Sequence, residues 1–155
     1  MGMPKQQLEY RGKTLLQHTV DEALLAGLSP LIVVTASAKI SDPCLHLANV
    51  IHLVNTHAAE GMATSIRSGI QALQKTDAAI VMVCDQPKLH AALLKQLIST
   101  QQKNKVAIVA SKYKQTLGTP ALFHHSVFAE LLQLQGDRGA KKILDHDADR
   151  LSAVE

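Results

Sequence analysis

Four groups of residues carry whatever chemistry this chain can do. Asp85 follows the most apolar run of the sequence, AAIVMVC at 78–84, and precedes Gln86-Pro87. A carboxylate emerging at the end of a buried strand is placed to hold a hard cation such as Mg²⁺ through oxygen. Asp-Gln-Pro is equally the composition of a turn, and spacing alone leaves both readings open. The stretch GMATSIR, from Gly61 to Arg67, opens a helix on a glycine. The free N–H groups of such a start, with Ser65 and Arg67 in the first turns, suit an anion, although an ordinary helix entry with an exposed arginine explains the same residues. In GDRGA, residues 136–140, Asp137 reads as the N-cap of the next helix or as a second metal ligand. Lys5, beside Pro4 in a polar opening, reads as a solvated lysine.

Several familiar chemistries drop out. The eight histidines are scattered and form no H-E-x-x-H or Cys/His cluster; His124-His125 is expected to cap or flank a helix. Cys44 and Cys84 stand far apart in apolar settings, which predicts buried free thiols, not a disulfide or metal framework. Neither a G-x-S-x-G elbow nor a G-x-x-x-x-G-K-[ST] loop occurs, which argues against serine hydrolases and P-loop NTPases.

The elements that must position these residues follow from periodicity. Residues 14–27 place Leu16, Val20, Ala23 and Leu24 at helical spacing, with Thr14 and Gln17 as a capping box and Gly27 as a stop. LIVVTA at 31–36 is a short β-branched run, the pattern of a strand covered on both faces, and VIHLV at 50–54 is a second. A short helix is expected near Pro43. Helical spacing returns at 61–75 and 89–102, separated by the run at 78–84. VAIVAS at 106–111, TPALF at 119–123, helical segments at 126–134 and 138–146, and a terminal LSAV complete the chain. Alternating strands and helices predict a three-layer α/β domain with a mostly parallel sheet, whose ligands bind beyond the carboxyl ends of the strands.

Composition supports a single domain. The chain has 155 residues, 46% of them hydrophobic and 19% charged, and a mean hydropathy of +0.06. Such a chain is long and apolar enough for a real core. Two Tyr, two Phe and no Trp leave too little aromatic surface for stacking on nucleic-acid bases, and a net charge of +3 is weak for a duplex binder. No run approaches the roughly 18 apolar residues of a membrane span, and the polar start lacks the apolar core of a signal peptide. The expectation is a cytoplasmic protein with no nucleic-acid or membrane partner.

Five ordered segments together resemble one family. MGMPKQQLEYRGKTLLQHTVDEALLAGLSPLIVV is similar to the segment that ends the LAAGxSxRMGxPK signature of MobA-like NTP transferases, closest to the molybdenum cofactor cytidylyltransferases. NTHAAEGMATSIRSGIQAL, the strand ending CDQP, GTPALF and GDRGAKKIL follow in register. The resemblance covers nearly the whole chain.

That resemblance implies a Rossmann-like sheet of the glycosyltransferase-A type and transfer of CMP from CTP to a molybdopterin-type acceptor, with release of pyrophosphate. By the same carry-over Lys5 contacts the triphosphate and Asp85 holds Mg²⁺, these two being the catalytic residues. Gly2, Gly61, Ser65 and Arg67 line the nucleotide site with Lys5; Gly118, Asp137 and Gly139 shape the acceptor side. The implied partners are CTP or another NTP, the pterin acceptor, and a molybdoenzyme or its chaperone. The resemblance also has departures. Met1-Gly2 coincide with the Met-Gly inside the signature, so the first strand and its phosphate loop are expected to be missing, leaving a gap in the sheet. The chain also ends at SAVE, where family members continue. It therefore reads as one domain, 1–155, cut short at both ends. A catalytically inactive remnant or binding module is the alternative to an enzyme, and a guanylyltransferase or a transferase with another acceptor is the alternative within enzymes.

Overall fold

The first long helix begins where its residue types require. Thr14 has extended backbone, and its hydroxyl accepts a hydrogen bond from the Gln17 N–H at 3.0 Å. The Gln17 amide turns instead to Asp21 at 2.6 Å, so half of the expected capping box forms. The helix stops at Gly27, which is left-handed at φ +80°.

The computed structural model describes residues 4–146 and 148–155. A small hairpin, β1 (Glu9–Tyr10) and β2 (Lys13–Thr14), precedes α1 (Leu15–Leu25) and β3 (Leu31–Thr35). A 3-10 turn at Pro43–His46, where a short helix was expected, leads to β4 (Val50–Val54), α2 (Met62–Ala72), β5 (Ala78–Val81) and α3 (Ala91–Asn104). Then come β6 (Ile108–Tyr113), β7 (Thr116–His124), α4 (Phe128–Leu131), α5 (Lys141–Leu144) and β8 (Leu151–Val154).

The three layers are visible in the alternation along the strands. Val109 and Leu122 point into one core with Leu16, Val20 and Ala23 of α1 and Leu94 and Leu97 of α3. Ile108, Ala110, Ala121 and Phe123 point the other way, into a core with Ala63, Ile66 and Ile70 of α2, Leu131 of α4 and Ile143 of α5. Period-two alternation on strands between two helical layers is what a doubly covered sheet demands.

The sheet is mixed where a mostly parallel one was expected. β3 pairs with β4 in parallel and β6 with β8 in parallel, but β7 runs antiparallel to both β5 and β6. The short Lys114-Gln115 connection between β6 and β7 explains this: a tight turn can only reverse the chain, and a parallel pair needs a crossover of a dozen residues or more. The sheet is also broken, into β3-β4 and β5-β7-β6-β8. Among the described residues β3 and β5 each pair on one side only. The helices bridge the break, because Leu31 and Val33 join the core of α1 and α3 while Val34 meets Gly69 of α2.

β5 ends at Val81, short of the expected Cys84. Val81 pairs with Ala121, and the next residue of β7 is Pro120, which has no N–H to continue the ladder. No helix among the described residues is long and apolar enough to cross a membrane.

Candidate active site

The polar candidates gather in two groups, each beyond the carboxyl end of a strand. The first follows β5. Asp85 sits in the turn after it, 48% exposed, and Lys5 reaches it from the N-terminal 3-10 turn, Nζ to Oδ2 at 3.7 Å. Lys5 is 77% exposed, so the pair is held loosely. Gln86 anchors the turn by donating from Nε2 to the Thr119 carbonyl at 2.7 Å, which brings the Asp85 loop beside Gly118 on β7. Tyr113 donates its hydroxyl to the same carbonyl at 3.0 Å, and its ring lies against Gly118. The neighbouring Cys84 is half-buried; burial, aided by the charge of Asp85, pushes its thiol pKa up.

The second group surrounds the start of α2. Gly61 caps this helix at φ +113° and ψ 171°, a conformation essentially reserved for glycine. Its backbone lies against Gly136 and Asp137, and the Ala63 N–H donates to the Gly136 carbonyl at 3.1 Å. One of the helix-start N–H groups expected to meet an anion is therefore already satisfied within the chain. Gly139 packs against Met62 and Ile66. Arg67 turns its guanidinium to the Leu134 carbonyl, so it braces the loop that leads to GDRGA. An open cleft of about 630 Å³ lies between α2 and that loop, lined by Glu60, Thr64, Arg67, Gln133, Gln135 and Gly136; neither Lys5 nor Asp85 lines it.

Asp137 does not cap the following helix. That helix starts at Lys141 with Ala140 as its cap, and Asp137 stands in the preceding turn with its carboxylate against Gly61. Gly61 and Arg67, expected on the nucleotide side, thus meet the loop of residues 134–139 that carries Asp137 and Gly139, expected on the acceptor side, whereas the Ser65 hydroxyl turns to the Asn55 amide. Gly118 belongs with Asp85 instead. Gly2 lies outside the described residues. His124 caps as expected, accepting from the Ser126 N–H at 3.3 Å.

Asn55 is a functional candidate that the sequence reading passed over. It directly follows the apolar run of β4, as Asp85 follows the apolar run at 78–84, and the same rule, a polar residue at the end of an apolar strand run, points to it.

As to a metal, no cluster of three or more His, Cys, Asp or Glu able to hold one occurs among the described residues. Asp85 offers a single accessible carboxylate. That donor set fits Mg²⁺, which keeps most of its water and uses one or two carboxylates together with substrate phosphates.

The family model described as MobA-like NTP transferase domain matches residues 1–151. The chain belongs to that family. Among its relatives, the 2-C-methyl-D-erythritol 4-phosphate cytidylyltransferase of Salmonella arizonae is 29% identical over 136 residues, covering 83% of this chain and 57% of the relative. The solved structure of Rv0371c from Mycobacterium tuberculosis H37Rv matches 99% of this chain and 79% of its own, with a TM-score of 0.83 and 27% identity. A manganese complex of Rv0371c matches at a TM-score of 0.75 and 28% identity, covering 97% of this chain and 81% of its own. The chain spans between about a quarter and just over half of the length of the curated relatives it matches.

Proposed function

We propose that this chain is a nucleotidyltransferase that moves CMP from CTP to a phosphate-bearing acceptor of the molybdopterin type. The observation that carries the reading is the exposed Lys5–Asp85 pair at the end of β5 in a chain of the MobA-like NTP transferase family. In the reaction an oxygen of the acceptor's terminal phosphate forms a bond to the α-phosphorus of CTP. The bond from that phosphorus to the β-phosphate oxygen breaks, and pyrophosphate leaves with the electron pair. No covalent enzyme intermediate is required; catalysis is alignment of two anions and neutralisation of charge.

Lys5 and Asp85 are suited to these tasks because nothing binds them tightly. An exposed ion pair contributes only about 0–1 kcal/mol, so the ammonium can leave Asp85 for a phosphate oxygen at little cost. Asp85, released, offers both oxygens to a divalent cation. Mg²⁺ held by Asp85 would supply neutralisation of the charge that develops on the triphosphate. The α2 group, with Ser65 toward the nucleotide and Asp137 and Gly139 across from it, serves to orient the two substrates.

A second acceptor, 2-C-methyl-D-erythritol 4-phosphate, is favoured by one specific observation, the 29% identity to a 2-C-methyl-D-erythritol 4-phosphate cytidylyltransferase. Both acceptors are phosphomonoesters, so the chemistry is shared. The test is incubation of the protein with CTP, Mg²⁺ and each acceptor separately, with mass spectrometry of the products. A cytosine dinucleotide of the pterin supports the proposal; cytidylylation of the erythritol phosphate alone reassigns the acceptor. If the protein releases no pyrophosphate with either, and NMR titration with CTP and Mg²⁺ moves no resonance of Lys5 or Asp85, the reading is overturned in favour of an inactive member.

A further inference from the structure

Asn55 engages both ends of its side-chain amide in hydrogen bonds. It is 5% exposed, at the end of β4. Its backbone N–H donates to the Thr35 carbonyl at 2.7 Å, tying it to the end of β3. Its Oδ1 accepts from the His57 N–H at 3.0 Å, and its amide nitrogen donates to two hydroxyls of α2, Thr64 Oγ1 at 2.7 Å and Ser65 Oγ at 3.0 Å.

The direction of these bonds has a chemical consequence. An amide NH₂ only donates, so both hydroxyls must accept from it. Thr64 passes its own proton inward, to the Gly61 carbonyl at 2.8 Å or the His57 carbonyl at 3.1 Å. Ser65 has no such outlet. A helical serine ordinarily returns its proton to the carbonyl four residues back, which here is Gly61. That carbonyl already accepts from the Thr64 hydroxyl and from the Thr64 N–H at 3.2 Å. Ser65 is half-buried, and among the described residues its hydroxyl has no further partner. Its proton is left to point away from Asn55, out of the helix start.

We infer that Asn55 is a positioning residue that fixes the Ser65 hydroxyl as a hydrogen-bond donor to an acceptor atom of the bound nucleotide. This rests on the nucleotide site proposed above. The acceptor atom belongs either to the base and sugar or to the phosphates, and the two sources are separable by probe.

Asn55→Asp tests the inference because it preserves shape and the His57 contact but reverses the polarity. A carboxylate accepts from both hydroxyls, drawing the Ser65 proton inward and turning oxygen lone pairs toward the ligand. The measurement is NMR or calorimetric titration of wild type, Asn55→Asp, Ser65→Ala and the double variant with CTP and Mg²⁺, and separately with inorganic tripolyphosphate and Mg²⁺. The expected result is a tenfold or greater loss of CTP affinity in each single variant and no further loss when Asn55→Asp is added to Ser65→Ala. An unchanged tripolyphosphate affinity assigns the contact to base or sugar, and a parallel loss assigns it to phosphate. Losses that simply add in the double variant mean that Asn55 acts through the fold alone, and overturn the inference. Should Asn55→Asp not fold, Ser65→Ala decides: CTP affinity equal to wild type in that variant overturns it. Wild-type protein that binds neither probe removes the underlying site reading, whereas binding that Asp85→Asn weakens and Ser65→Ala does not removes only this inference.

Discussion

Gly61 and Asp137 meet so closely that a Cβ on residue 61 would lie 2.6 Å from Asp137 Oδ1 and equally close to the carbonyl carbon and oxygen of Gly136. The contact locks the start of α2 to the GDRGA turn, the two parts of the chain that the family resemblance assigns to opposite substrates.

Gly61→Ala is therefore expected to be strongly destabilising. Its φ of +113° with ψ 171° costs about 1–3 kcal/mol for any other residue, and the collision with backbone atoms adds to it. Thermal or urea unfolding should show this loss. A neutral Gly61→Ala would mean that the GDRGA turn moves away freely and does not brace the site.

Removing either partner of the Lys5–Asp85 pair should leave stability nearly unchanged, within about 1 kcal/mol, because the pair is exposed and loosely held. Function should not be spared. Asp85→Asn is expected to lower CTP–Mg²⁺ affinity by at least tenfold and Lys5→Ala by a similar factor. Unfolding curves and nucleotide titrations on the same samples separate the two effects.

Asp42 makes acid stability testable. Burial on its own would raise its pKa, but hydrogen bonds from the Thr14 hydroxyl at 2.6 Å and the Cys44 N–H at 3.0 Å outweigh it, and the pKa falls below its ordinary value of 3.8. A carboxyl whose folded pKa lies below its unfolded one stabilises the fold at neutral pH, and that stabilisation is lost as pH drops through the unfolded and then the folded value. Urea unfolding from pH 6 downward should show a loss of stability setting in near pH 4 that is shallower in Asp42→Asn. The variant should be less stable at pH 7, since its one amide oxygen can accept from Thr14 or from Cys44 but its NH₂ cannot accept from the other.

The thiols should be slow nucleophiles, Cys44 most of all. Burial, with the neighbouring Asp42 charge, pushes the Cys44 thiol up to about 12, and Cys84 is raised also. Iodoacetamide at pH 8 should label the half-buried Cys84 first and Cys44 only as the protein unfolds. Rapid labelling of Cys44 in native protein would contradict its burial at the foot of the Pro43–His46 turn.

Much of the scaffold was legible from local chemistry. Thr14 marks the start of α1, Gly27 its end, and the β-branched runs at 31–36 and 50–54 are strands β3 and β4. The direction of β7 and the early end of β5 were less so, because both depend on which strand lies alongside: the short β6–β7 connection and Pro120 become decisive only once the ladder is drawn. Asp137 misled for a related reason. Its type fits an N-cap, yet the helix begins four residues later, and its carboxylate faces Gly61 instead.

The sequence by itself determined the layers, the emergence of Asp85 beyond an apolar run, and the family, since periodicity, capping and motif order are carried by neighbours along the chain. Only the tertiary structure decided that Lys5 reaches Asp85, that Arg67 braces a carbonyl 67 residues away at Leu134, and that the Asn55 amide donates to the Ser65 hydroxyl. Those outcomes rest on contacts between distant segments, and a buried polar group takes whichever partner the packing of the layers brings within hydrogen-bond reach.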